Sequence, residues 1–303
     1  WEQGKKGHEG QGDKRRKDPE KLAREKVLRE ADIIVGTLSS CGTSGIIEAF
    51  CPHVTSKFGG FELVLVDEAA QAVEPATLIP LHLLAPKGRC ILVGDPQQLP
   101  ATVLSKEASN LEFQRSVFQR LMEGGHPVCM LNVQYRMHPA IKDFPSEYFY
   151  KGKLLDDEMS SAAAFRISAH PHGQFGPVAF WHVPGVEEQS SGLSRRNRTE
   201  ALFVAELVWH LQNLSRGTGD LDGGIGIITP YKAQVELIRD VLRKTESSLG
   251  ARRRIDPNGI TVGTVDGFQG QERQVIIISA VRAGEGKGIG FVDDLRRLNV
   301  ALT

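Results

Sequence analysis

The 303-residue sequence contains no glycine-rich loop of the form GxxxxGK[ST], the loop whose amides cradle phosphates in many nucleotide hydrolases. No apolar run approaches the roughly 20 residues that a membrane-spanning helix requires, and the N-terminal stretch is polar, so neither a membrane span nor a secretory signal is visible. Cysteine is scarce. Cys41, Cys51, Cys90 and Cys129 form no C-x-x-C pair and no zinc spacing, which predicts buried free thiols in a reducing compartment. An excess of charge of either sign is also missing: 37 Lys and Arg balance 37 Asp and Glu. Any polyanionic partner must therefore be held by local groups and not by an overall positive field. No internal repeat is evident, and the first residue is Trp1 where a translated chain carries Met, which suggests a fragment or a processed chain.

What is present describes a soluble globular protein long enough for two domains: 40% hydrophobic and 24% charged residues. Residues 1 to 30 are rich in Gly and charge, with almost no apolar periodicity until Leu22, Val27 and Leu28. They read as a disordered or helical linker, and the KRRK run at Lys14 to Lys17 as a solvated charge run. Beyond Ala31, short β-branched runs alternate with longer amphipathic segments, the pattern of a parallel sheet covered by helices. Strands are predicted at Ile33 to Gly36, Leu63 to Val66, Cys90 to Gly94, Met130 to Val133, Val178 to Val183, Gly224 to Thr229, Ile260 to Val265 and Val275 to Val281. Helices are predicted at Phe113 to Met122, Thr199 to Leu214 and Lys232 to Arg243, and a surface loop at Gly185 to Asn197.

Polar signatures cluster after these strands, where ligands sit in parallel α/β sheets. Asp67 and Glu68 follow LVLV, GDPQQLP (Gly94 to Pro100) follows CILV, and QYRMHP (Gln134 to Pro139) follows MLNV. TPYKAQ begins at Thr229, and DGFQGQE follows ITVGTV at Asp266. A single strand-end Asp is commonly a helix cap and a Gly-Asp-Pro commonly a turn. Five such signatures in this order are harder to assign to caps and turns alone.

Taken together they resemble superfamily 1 RNA/DNA helicases of the Upf-like group, which includes the nonsense-mediated-decay helicase and senataxin, with GDPQQLPATVLSKEASNLEFQRSVFQRLM most similar to the senataxin branch. DEAAQ resembles motif II, GDPQQLP motif III, QYRMHP motif IV, TVDGFQGQE motif V and RRLNVALT the start of motif VI, while IIVGTLSSCG resembles motif Ic. The resemblance covers the chain from about Ala31 to its last residue. It implies two RecA-like α/β domains of the P-loop NTPase fold: a partial first domain over residues 31–127, preceded by a charged linker or the end of an inserted subdomain, and a second over 128–303. It further implies that the sequence begins after the family's phosphate loop and ends before a motif VI arginine, so that the fragment alone would be inactive.

The implied activity is ATP-dependent translocation or unwinding on single-stranded RNA or DNA, with RNA–DNA hybrids as a further substrate, ATP held between the domains, no membrane partner, a monomeric state, and a nuclear or cytoplasmic location. Carried over residue by residue, Asp67 would hold Mg²⁺ through water and Glu68 would polarise the attacking water. Gln98 would bridge the γ-phosphate to the nucleic-acid site. Tyr135 would stack on adenine, Arg136 would neutralise charge on the transferred phosphate, and Gly270 and Glu272 would contact the nucleotide. Thr37, Thr229 and Thr264 would touch the nucleic-acid backbone. The rival reading is a nucleic-acid-binding or scaffold protein with a degenerate, non-hydrolysing ATPase fold; a transport motor is disfavoured because QYRMHP and TVDGFQGQE have no role there. The pair His170 and His172 lacks a third zinc ligand and reads as loop, Trp181 and Trp209 read as core, and the glycines from Gly284 to Gly290 read as a turn.

Overall fold

The structure, a computed structural model, describes residues 19–53, 58–158, 175–190, 192, 194–219, 221, 224–248, 255–282 and 293–303. The KRRK run, the 170–172 histidine pair and the 284–290 glycines lie outside the described residues. The chain divides into two units, the first taking the described residues of Trp1–Gly94 and Ala101–Leu121, the second those of Asp95–Pro100 and Met122–Thr303.

The first unit contains α1 (Pro19–Glu30), α2 (Ser44–Phe50), β1 (Phe61–Val66), α3 (Glu74–Leu81), β2 (Leu84–Leu92), α4 (Lys106–Asn110) and most of α5 (Val117–Glu123). Strands β1 and β2 pair in parallel, with Val64 opposite Cys90 and Val66 opposite Leu92. Phe50, Cys51 and Leu83 form a small core with Leu28 packed against it, so the apolar residue that closes the charged N-terminal stretch anchors α1. Helix α5 starts four residues later than the apolar pattern predicts. Glu112 adopts a positive φ of 59°, which interrupts a helix, and the Ser116 hydroxyl then accepts the Gln119 N–H at 3.1 Å as a cap. The Arg120 guanidinium on α5 grips Glu74 at the start of α3 through two hydrogen bonds of 2.9 and 2.7 Å.

The second unit contains β3 (Val133–Gln134), α6 (Pro139–Tyr150), β4 (Leu155–Asp156), β5 (Glu187–Gln189), β6 (Arg195–Asn197), α7 (Arg198–Leu214), β7 (Ile225–Thr229), α8 (Lys232–Ser248), β8 (Ile260–Thr264), α9 (Val265–Phe268), β9 (Val275–Ile278) and α10 (Leu295–Leu302). The three-stranded sheet runs β8-β7-β9, all parallel. Every residue of β7 is buried, which is why its sequence reads as a continuous apolar run and not as an alternation. Val204, Val208 and Leu211 of α7 and Ile238 and Val241 of α8 close the core over it. A buried polar network secures one end: Glu200 accepts the Ser279 hydroxyl at 2.7 Å and the Val281 N–H at 2.9 Å. Val281 has a φ of 71°, a costly conformation for a β-branched residue, and that carboxylate contact offsets part of the strain.

Three expected strands are not found as such. Ile33 to Gly36 and Val178 to Val183 have no strand partner among the described residues, and only Val133 of the expected Met130 to Val133 is paired, because a strand needs a free neighbouring edge as well as β-branched residues. Conversely, the expected loop at Gly185 to Asn197 contains the antiparallel pair β5 and β6, stitched by Glu187 to Arg195 at 2.8 Å and Glu188 to Arg196 at 2.9 Å. The cysteines are free, yet only Cys51 is buried, while Cys90 and Cys129 are exposed. Trp209 packs on the core as expected, whereas Trp181 lies at its margin between Phe175 and Phe203. Among the described residues no helix is long and apolar enough to cross a membrane.

Candidate functional site

In the first unit, β1 delivers its last residue, the buried Val66, directly into Asp67 and Glu68, both exposed. The turn is tight. The Ala69 N–H donates to the Val93 carbonyl at 2.7 Å, and a Cβ on Gly94 would meet the Ala70 nitrogen at 2.8 Å, so glycine is needed where β2 passes behind the acidic turn. Glu68 adopts a left-handed φ of 51°, and its carboxylate accepts from Gln71 Nε2 at 2.6 Å. Asp67 Oδ1 accepts the Glu68 N–H at 2.9 Å. Both carboxylates line an open groove of about 440 Å³ together with Thr37, Ser39, Gln71 and Thr102. Three sequence-predicted residues, Thr37, Asp67 and Glu68, are thus brought to one surface. Among the described residues no cluster of three or more His, Cys, Asp or Glu could enclose a metal. Two exposed carboxylates among hydroxyls are a donor set that fits Mg²⁺, which keeps most of its waters and is bound through one or two carboxylates.

In the second unit, Gln134 builds the next motif. Its Oε1 accepts the N–H groups of Arg136 at 3.0 Å and Met137 at 2.7 Å, and its Nε2 donates to the Met137 carbonyl at 2.9 Å and to Asp156 Oδ1 at 2.6 Å. Asp156 is held in turn by Lys142 Nζ at 3.1 Å. This chain of contacts pins a turn whose outward residues are Tyr135, 77% exposed, and Arg136. The His138 imidazole then accepts the Ala140 N–H at 3.0 Å and starts α6. The Arg136 Nε donates to Glu272 Oε2 at 2.7 Å, and its Nη1 reaches the Thr303 carbonyl at 3.5 Å, so two sequence-predicted residues 136 positions apart meet. Gly270, with a φ of 74° and open space where a Cβ would project, shapes the turn that leads to Glu272. Gln98 belongs to this unit too, in a turn where its N–H donates to the Asp95 carbonyl at 3.2 Å.

The three threonines differ. Thr37 is exposed and its hydroxyl accepts the Ser40 N–H at 3.2 Å. Thr264 caps α9, accepting the Gly267 N–H at 3.3 Å. Thr229 is wholly buried, and among the described residues its hydroxyl has no hydrogen-bond partner. Gln134, Asp156 and Lys142 were missed as functional residues by sequence reasoning. Gln134 lies inside the QYRMHP motif and could have been found there, whereas nothing near Asp156 or Lys142 marks them out.

A family model described as an AAA domain matches residues 113–303, and a second AAA-domain model matches residues 2–106. Helicase sen1 of Schizosaccharomyces pombe is 39% identical over 284 residues, 93% of this chain and 16% of that protein. ATP-dependent helicase upf1 of the same yeast is 39% identical over 283 residues, 93% of this chain and 28% of that protein. Regulator of nonsense transcripts 1 of Dictyostelium discoideum is 39% identical over 279 residues, 91% of this chain and 19% of that protein. The chain therefore spans less than a third of the length of each of these relatives. With AAA-domain models matching both parts and helicases of the sen1 and upf1 type matching over nine-tenths of its length, the chain belongs to the AAA-domain family, in its Upf-like superfamily 1 helicase group, whose fold is the RecA-like α/β fold of P-loop NTPases.

Proposed function

We propose that the full-length protein is an ATP-dependent helicase or translocase on single-stranded RNA or DNA and that this chain supplies much of its motor. The observation that carries the reading is the first unit's groove, where Asp67, Glu68 and Thr37 share one open surface. In this reading Glu68 accepts the proton of, and orients, the water that attacks the γ-phosphate. Asp67 would hold Mg²⁺, which would supply charge neutralisation for the phosphate oxygens. Arg136, presented by the Gln134-held turn, stabilises the charge that develops on the transferred phosphoryl group, and Tyr135 offers its ring to the adenine. Glu272 and Gly270 face the nucleotide, and Gln98 links γ-phosphate chemistry to the nucleic-acid strand.

Nucleic-acid contact falls to Thr37 and to the backbone N–H groups around Thr229 and Thr264, because the Thr229 hydroxyl is buried and that of Thr264 caps a helix. Such contacts hold the phosphate backbone without reading bases. RNA–DNA hybrids as a substrate, action as a monomer, and a nuclear or cytoplasmic location belong to the same proposal.

The test is steady-state phosphate release by the full-length protein with saturating single-stranded RNA. Glu68→Gln keeps size and hydrogen bonding but removes the charge, so turnover should fall by about 10² to 10⁴ while nucleotide binding survives. Undiminished turnover in Glu68→Gln would overturn the assignment of Glu68. Nucleic-acid binding with no hydrolysis by the wild type would favour a non-hydrolysing scaffold.

A further inference from the structure

Gln98 sits in a turn that is anchored from elsewhere in the second unit. Tyr150 Oη donates to Asp95 Oδ2 at 2.6 Å and accepts from Asn299 Nδ2 at 2.8 Å. The other amide hydrogen of Asn299 goes to the Gln97 carbonyl at 3.1 Å. Asp95 closes the turn from within, its Oδ1 accepting the Gln97 N–H at 2.9 Å and its carbonyl the Gln98 N–H at 3.2 Å. One phenol oxygen therefore joins two groups, donating to Asp95 and accepting from Asn299.

The orientation of the Asn299 amide is set by its two acceptor neighbours. Rotating the Asn299 amide would set its oxygen against the Gln97 carbonyl and would leave Asp95 and Asn299 both asking Tyr150 for its one hydrogen. Burial, and next to it the Asp95 charge, push the Tyr150 phenol well above the usual tyrosine range, so it remains a donor at neutral pH. Its backbone is fixed too. Tyr150 is the last residue of α6, and the following Lys151 and Gly152 take positive φ while the Gly152 N–H returns to the Ser146 carbonyl at 2.8 Å. Asn299 is wholly buried on α10, and that helix also reaches the other motif segments through Arg297 to Asp266 at 3.1 Å and the Thr303 carbonyl to Arg136.

We propose that Tyr150 and Asn299 are positioning residues for Gln98, tying the Asp95–Gln98 turn to α6 and α10 so that Gln98 keeps a fixed relation to Arg136 and Glu272. The proposal rests on the reading of the protein as an ATP hydrolase. Neither residue touches the reacting groups. Their effect reaches catalysis through the turn.

The experiment measures kcat and KM for ATP in the full-length protein at saturating single-stranded RNA, for Tyr150→Phe, Asn299→Ala, Gln98→Ala and the double variant of Tyr150 and Gln98. Tyr150→Phe removes one oxygen and keeps the ring, so kcat should fall about five- to tenfold with KM for ATP moving less than about twofold. Asn299→Ala, acting on the same turn from α10, should give the same kcat loss. The double variant should be no slower than Gln98→Ala, because once Gln98 is gone its anchor has nothing left to position. An unchanged kcat in Tyr150→Phe, or losses that multiply in the double variant, would overturn the proposal while leaving the ATPase reading intact. No hydrolysis by the wild type would overturn both. A drop in melting temperature with multiplicative losses would identify Tyr150 as a packing residue only.

Discussion

In the second unit β7 lies between two parallel neighbours and under two long helices, and each of its five residues is buried. In the first unit β1 carries an equally apolar run, yet Leu63 and Leu65, which share one face, stand 51% and 58% exposed among the described residues. Ile33 and Val35 are more exposed still. A strand buried on both faces requires cover on both, and the described residues supply it only to the second unit. The residues of the proposed chemistry divide between the units in the same way: exposed carboxylates on a groove in the first, and an arginine and an aromatic ring on a braced turn in the second. The same strand-then-turn pattern thus yields a well-packed platform in one place and an open one in the other.

The largest effect that bears on this contrast is catalytic. Arg136→Ala in the full-length protein should lower turnover by about 10³ or more with little change in ATP affinity, because the guanidinium matters most as transition-state charge forms. Equal losses in binding and rate would assign Arg136 to the ground state and weaken the division of chemistry between the units.

Next comes packing. Ile227→Ala on β7 removes a wholly buried side chain and should cost about 2 to 5 kcal/mol. Leu65→Ala on β1 should cost under about 1 kcal/mol in this chain. Residue-level hydrogen exchange should show the same order, with the amides of Ile225 to Ile228 protected beyond those of Leu63 to Val66. Comparable costs at the two positions would mean that the β1 face is covered in solution.

A smaller effect separates the threonines. Thr37→Ala should weaken single-stranded RNA binding a few-fold, by about the value of one hydrogen bond, whereas Thr229→Ala should leave affinity unchanged because its hydroxyl is buried. Fluorescence anisotropy across a salt series would read both, and with a formally neutral chain the slope of log K against log salt should be on the order of −1 to −3.

The smallest effect is the ion pair of Arg120 with Glu74, which is half exposed. The Arg120 hydrogen bond holds the Glu74 carboxyl below its ordinary value. A depressed folded-state value means the stabilisation is present above the ordinary glutamate range and disappears as pH falls through the folded-state value. Arg120→Ala should therefore lower the first unit's melting temperature slightly at neutral pH, and the difference from wild type should vanish on acidification.

Local sequence determined the elements whose formation depends on their own residues. The apolar runs at Leu63 to Val66, Gly224 to Thr229, Ile260 to Val265 and Val275 to Val281 became parallel strands, and the 3.6-residue patterns of Thr199 to Leu214 and Lys232 to Arg243 became helices, because periodicity alone commits such segments to one buried face or two. The candidate site residues were proposed from motifs at or near strand ends, and the structure brings Thr37, Asp67 and Glu68 to one groove and Arg136 to Glu272. Tertiary structure decided whatever depends on a distant partner. Ile33 to Gly36 and Val178 to Val183 have strand-like composition, but pairing depends on an available edge. The hairpin of Glu187 to Asn197 hides in a charged stretch because its signal is the pairing of opposite charges across two strands. Tyr150 carries no local mark and Asn299 only its place in RRLNVALT, since what makes the pair matter is a hydrogen-bond geometry that joins residues as far as 202 positions apart. A chain's short-range preferences are written in its neighbours, whereas the satisfaction of buried donors and acceptors is settled only when the fold brings them within 3 Å or so of one another.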